Sequence, residues 1–190
     1  MSTSSRTERH QATREEILSV AWALSTEKGL TGWSLRELAA AVGMRAPSLY
    51  VYFAAKDHIY DAMFRHSYEA LLDAGTSADL PDDPRARLRA IAGTFFDFAT
   101  DNPARLQLMF WRVIPGFTPS PEAYAASVQV VERVREAFEQ IGITDPAALD
   151  LWTALMSGLV TQQVSNEPGG ERWRRLLDDA VEMFASAQVR

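Results

Sequence analysis

Residues 31–57 read Thr31-Gly-Trp-Ser-Leu-Arg-Glu-Leu-Ala-Ala-Ala-Val-Gly-Met-Arg-Ala-Pro-Ser-Leu-Tyr-Val-Tyr-Phe-Ala-Ala-Lys-Asp57. The stretch predicts two short helices joined by a tight turn and followed by an aromatic and basic cluster. Ser34 and Glu37 have the spacing of a capping box, in which the serine oxygen accepts the Glu37 amide and the carboxylate reaches back. That sets a helix over 34–41. Gly43 ends it, because the turn calls for a backbone conformation that a side chain hinders. A further helix follows over 45–51, where Pro47 is tolerated in the first turn. Leu35, Leu38 and Ala39 face inward, and Val42 and Leu49 close a small core with the helix before them.

Working outward, residues 12–28 predict a helix with Ile17, Leu18, Ala21 and Leu24 on its apolar face and Gly29 just past its end. Residues 1–11 are expected to be a disordered tail. Arg6, Arg9 and Arg14 have the makeup of a minor-groove arm, but a solubilising tail is the expectation adopted. Downstream, prolines and glycines punctuate further helices over 55–75, 85–101, 103–111, 122–141, 145–165 and 171–187. No run alternates like a strand. The fold class is therefore all-α, with about nine helices: a three-helix N-terminal unit over 12–58 and a helical C-terminal domain over 59–190.

Composition narrows the function. Of 190 residues, 47% are apolar, enough for a packed core. No run of apolar residues is long enough to span a membrane, and the first ten residues lack the apolar segment of a secretory signal. Cysteine is absent, which fits a reducing cytoplasm. The net charge is −6, but it is uneven: residues 1–66 hold 8 Lys/Arg against 7 Asp/Glu, a net of +1, and the remainder holds 11 against 18, a net of −7. A local basic face on the N-terminal unit is compatible with that balance.

A two-helix unit of this design can lay its second helix in the major groove of DNA. In that arrangement Arg45 reads a guanine edge, Ser48 adapts, and Ala46 or Pro47 meets a thymine methyl. Tyr50, Tyr52 and Lys56 reach phosphate oxygens. The pattern Ser34-Leu-Arg-Glu-Leu-Ala39, Val42-Gly43 and Pro47-Ser-Leu-Tyr-Val-Tyr-Phe53 with Lys56-Asp57 resembles the TetR family of transcriptional regulators. The close likeness covers about residues 12–64, and the length and helix layout match over the whole chain.

The resemblance implies a homodimer, a palindromic operator and a small-molecule effector held in the C-terminal domain, with no cofactor and no metal. The function expected is a bacterial, cytoplasmic DNA-binding repressor released by a mostly apolar ligand. A helical sensor or adaptor with a protein partner is the alternative. Two departures stand out. Arg45 replaces the serine or threonine that often caps the third helix in the family. Trp33 stands where a small hydroxyl residue is common, so Trp33 and Ser34 join the DNA-binding candidates.

The dimer interface is expected on the last two helices, through Leu151, Leu155, Leu159, Trp173, Leu177, Val181 and Phe184. Phe95, Phe98, Met109, Phe110, Trp111, Phe117, Tyr124, Trp152, Met156 and Gln163 are the candidate pocket lining, since aromatic and methionine side chains with a few polar groups suit an apolar ligand. No catalytic set emerges. Ser25-Thr-Glu-Lys28 has Ser-x-x-Lys spacing without the companion motifs. His58, Asp61 and His66 lack metal-site spacing. The chain is thus expected not to be an enzyme.

Overall fold

The computed structural model describes residues 2–77 and 80–189, with side chains from residue 6 onward apart from residue 77. Among the described residues it holds nine α-helices, one 3-10 turn and no strand. These are α1 (Ser2–Lys28), α2 (Leu35–Val42), α3 (Ala46–Leu49), α4 (Lys56–Ser77), α5 (Pro84–Asp101), α6 (Pro103–Phe110), α7 (Pro121–Glu139), α8 (Pro146–Asn166) and α9 (Leu177–Gln188), with the 3-10 turn at Arg174–Leu176. No helix among the described residues is long and apolar enough to cross a membrane.

Several boundaries differ from the sequence expectation. The largest difference is at the start, where α1 begins at Ser2 instead of residue 12. The expected tail is helical from residue 2; Met1 lies outside the described residues. Adding turns to an existing helix needs no new nucleus, so polar residues can extend one without burying anything. α3 is shorter than expected, because residues 50–52 leave the helix as a turn. Within it Tyr52 and Phe53 both donate their amides to the Leu49 carbonyl. α4 runs through Gly75 to Ser77.

The chain forms two compact units. Unit 1 comprises residues 1–67 and 104–124, and unit 2 comprises residues 68–103 and 125–190. In unit 1, Ile17, Ala21, Leu38, Ala39, Leu49, Phe53, Ile59 and Met63 are buried and make the core of the three-helix unit. α2 is closed at both ends. Ser34 accepts from the Glu37 amide at 3.2 Å, and Glu37 accepts from the Ser34 amide at 2.9 Å. At its other end Gly43 sits at φ 80°. The Gly43 amide donates to Ala40 and the Met44 amide to Ala39, a Schellman closure that favours glycine at the left-handed residue.

In unit 2, α5 packs on α8 and α9. Its centre is an aromatic cluster: Trp152 meets Phe184 with ring centroids 5.0 Å apart and Phe138 at 5.5 Å, both edge to face. Arg85 and Arg89 of α5 pair with Glu182 of α9 at its rim.

This arrangement corrects the interface expected from the stripes of α8 and α9. Leu177, Val181 and Phe184 are buried inside unit 2, against α5 and α8, and are core residues. Leu155 and Leu159 are half-buried, as is Trp173. Leu151 points outward at 52% exposure, as does Met183 of α9 at 73%.

Candidate nucleic-acid interface

The outward surface of unit 1 is built on α3 and the turn after it. Arg45 occupies the position before α3 in an extended conformation and makes no side-chain cap. Its guanidinium is exposed and unused by the helix it precedes. Pro47 and Ser48 are also exposed, and Ala46 is half-buried. Tyr50 and Val51 stand out most, at 53% and 71% exposure, next to the fully buried Leu49. Leu49 anchors the short helix, and its neighbours are left facing solvent.

α1 holds this surface from one side. The Arg14 guanidinium donates to the Tyr52 carbonyl and lies 4.1 Å from the centroid of the Phe53 ring. Burial, and then the neighbouring Arg65, lower its affinity for the proton. The His10 ring lies 4.8 Å from that of Tyr52. Tyr52, expected to face DNA, is therefore half-buried against α1 while Tyr50 is not.

Trp33 and Lys56 are placed differently from the expectation. Trp33 is 3% exposed, and its indole N–H donates to the Ser25 hydroxyl at 2.9 Å. The only donor of that side chain is spent inside the core, so Trp33 is a packing residue and is withdrawn from the DNA-binding set. Lys56 donates from Nζ to the Trp33 carbonyl at 2.6 Å, with Nζ 4.0 Å from the Trp33 ring centroid and 5.2 Å from that of Tyr60. Burial lowers its pKa, against the opposing pull of Glu37 and Asp57. One of its three N–H donors is used in strapping α4 to the loop before α2.

Ser34 is similarly committed. Its hydroxyl accepts from the Glu37 amide and donates to the Glu37 carboxylate at 2.8 Å. Lys28, hydrogen-bonded to Glu37 at 2.9 Å, is the largest influence holding that carboxyl down at about 2, and Ser34 adds to it.

Two supporting contacts went unread in the sequence. Buried Tyr60 donates its hydroxyl to the Leu30 carbonyl at 2.5 Å and stands edge to face with Trp33. Burial first, then Asp57, pushes that hydroxyl up to about 12. Asp61 accepts from the Ser120 amide at 2.6 Å and its hydroxyl at 2.8 Å. Ser120 in turn accepts the Ala123 amide at 3.1 Å and caps the start of α7. The Tyr60–Leu30 and Asp61–Ser120 pairs join positions 30 and 59 apart, for which a single sequence carries no periodic signal.

The expected pocket lining is divided. Met109, Phe110, Trp111, Phe117 and Tyr124 belong to unit 1, where Phe117 stands edge to face with Tyr60, with centroids 5.7 Å apart. Tyr124 is exposed. Phe95, Phe98, Trp152, Met156 and Gln163 belong to unit 2. Of these, Trp152 and Met156 are core, and Phe98 is half-buried. Gln163 is a loop clamp: its Nε2 donates to the Glu167 and Gly170 carbonyls, and its Oε1 accepts the amides of Trp173 at 3.0 Å and Arg174 at 3.3 Å. Only Phe95 lines the apolar cleft within unit 2, with Leu71, Leu80, Val130 and Val134, and with Thr94 and Arg133 as its polar members. The cleft has room for about 80 Å³.

A capped helix, a left-handed glycine turn and a second helix followed by an outward tyrosine and valine define a helix-turn-helix protein. Residues 17–63 match the model of bacterial regulatory proteins of the tetR family, and residues 88–184 match that of the tetracyclin repressor-like C-terminal domain. The second match alone covers just over half of the chain, and the chain belongs to the TetR family. It is 32% identical over 119 residues to the HTH-type transcriptional regulator Mb1846 of Mycobacterium bovis, an alignment covering 59% of this chain and 48% of that protein. The chain thus spans about half the length of the curated relatives it matches.

Solved structures share the fold. A tetR-family transcriptional regulator from Streptomyces coelicolor superposes with a TM-score of 0.73 at 21% identity, covering 93% of this chain and 80% of that one. The TetR family transcriptional regulator PfmR from Thermus thermophilus gives 0.70 at 21% identity, covering 90% and 94%.

Proposed function

We propose that the chain is a homodimeric repressor that binds a palindromic operator through residues 45–50 and leaves it when a mostly apolar small molecule enters unit 2. The observation that carries the reading is the exposure of Tyr50 and Val51 beside the uncapped Arg45, on a short helix pinned from behind by Leu49. Tyr50 and Val51 are adjacent and exposed on the turn that follows the second helix of the motif, where a DNA groove would cover them. In a major groove, Arg45 has the fork that reads guanine, and Tyr50 offers a hydroxyl to phosphate.

The effector site we propose is the cleft around Phe95. Its room of about 80 Å³ is well below the roughly 300 Å³ at which drug-sized sites begin. A ligand of that size fits only a widened form of the cleft, and its preference for that form is the differential affinity that shifts the population. Leu71 and Leu72 of α4 line the cleft, and the same helix begins at Lys56 in the DNA-reading unit. Release then follows from a change in the course of α4.

The test begins by selecting an operator from a randomised duplex pool with the full chain. Arg45→Ala and Tyr50→Ala should each weaken binding to the selected duplex by about 1–3 kcal/mol in a gel-shift titration, with the sedimenting mass unchanged. Full affinity in both variants would overturn the assignment of this surface.

A further inference from the structure

We propose that the first turns of α1 form a basic arm that grips DNA phosphates beside the surface of residues 45–50. The inference rests on the DNA-reading function proposed above and extends it to a segment outside the helix-turn-helix. Residues 6–11 are all polar and exposed, yet they continue α1 as regular helix. At 100° per residue, Arg6, Arg9, His10 and Thr13 fall on one face, with Arg14 at one edge and Glu16, more than a turn and a half further into the helix than His10, at the other, while Glu8 and Glu15 fall opposite. A helix extended only for solubility has no need to sort its charges in this way.

The lower end of the basic face is fixed next to the reading surface. His10 stacks on Tyr52, and Arg14 donates to the Tyr52 carbonyl and covers Phe53. Tyr52 follows directly on the exposed Tyr50 and Val51. The face therefore begins at the recognition residues and leads away from the core toward Arg6. Arg6 lies three residues, about 4.5 Å of helix rise, beyond Arg9, which exceeds one nucleotide rise of about 3.4 Å along one strand. Arg6 and Arg9 together reach one or two phosphates past those met by residues 45–50. Such contacts add affinity and register without reading bases.

Full-length chain is titrated against a fluorescein-labelled mixed-sequence duplex by anisotropy over a series of salt concentrations. The wild type should show a steep fall of log affinity with log salt. Arg6→Ala/Arg9→Ala should make that slope shallower by about 0.9 for each phosphate lost, so by about one to two. Arg6→Lys/Arg9→Lys should keep the wild-type slope, and Glu8→Ala should not make it shallower. Alanine favours helix at least as well as arginine, so helix content by circular dichroism should hold in the alanine variant. An unchanged slope in Arg6→Ala/Arg9→Ala beside a steep wild type overturns the arm and leaves the reading of residues 45–50 standing. A flat wild-type slope overturns both.

Discussion

Trp33 shows how one residue changes role between sequence and structure. An aromatic just ahead of a capping serine, in a DNA-reading motif, invites a phosphate contact. Its single N–H is spent on Ser25, which is itself buried. Trp33→Phe removes the donor and leaves the serine oxygen without it in a dry site. We expect a loss of about 1–3 kcal/mol in denaturant unfolding. Adding Ser25→Ala should restore part of that loss, because removing both partners is cheaper than removing one. Strict additivity in the double-mutant cycle would show that the pair is uncoupled. Ser34, Glu37 and Gly43 were legible in the sequence because caps and glycine turns are local. The partners of Trp33, Lys56 and Tyr60 were not, because they are chosen by tertiary packing.

At the level of elements, the ends of α2 followed the sequence and the ends of α1 and α3 did not. Local hydrogen bonds set the former. The latter depend on whether a polar run continues an existing helix and on how Leu49 docks. Gln163 belongs to this scale as well. It was expected beside a ligand because a polar group amid apolar neighbours needs partners. The partners are the backbone of the loop that leads from α8 to α9: two carbonyls accept from its amide nitrogen and two amides donate to its oxygen. Gln163→Ala should therefore lower the stability of unit 2 by about 2 kcal/mol and speed hydrogen exchange at the Trp173 and Arg174 amides. Unchanged exchange at those amides would mean that the loop is held by something else.

For the whole molecule, the question is what covers α8. Its sequence, PAALDLWTALMSGLVTQQVSN, carries a single charged residue, Asp150, among side chains that are otherwise uncharged and mostly apolar or small. A helix of that composition is built to be buried on more than one side. Within unit 2 one side meets α5 and α9 through Trp152, Met156 and Val160. The other side carries the exposed Leu151, Ala154 and Gly158, with the half-buried Leu155 and Leu159 flanking the inner stripe, and Ala154 and Gly158 are small enough for close helix approach. Met183 is the most exposed large apolar residue of α9. Which stripe faced inward was not legible, because α8 is apolar nearly all round and its register is fixed only by docking against Phe138 and Phe184. We expect this outer face to be the homodimer interface, and Leu151→Asp with Met183→Asp to yield a monomer in sedimentation equilibrium. As exposed positions, both should cost the subunit little, about 0.5 kcal/mol or less each. Val181→Asp, by contrast, buries a charge in the core and should unfold the subunit. Because two half-sites joined in one dimer bind far more tightly than either alone, the monomeric variant should also lose operator affinity by a factor of at least about 100. Retention of the dimer mass by the double variant would place the interface elsewhere, and loss of fold rather than of partner would show that these side chains serve the core.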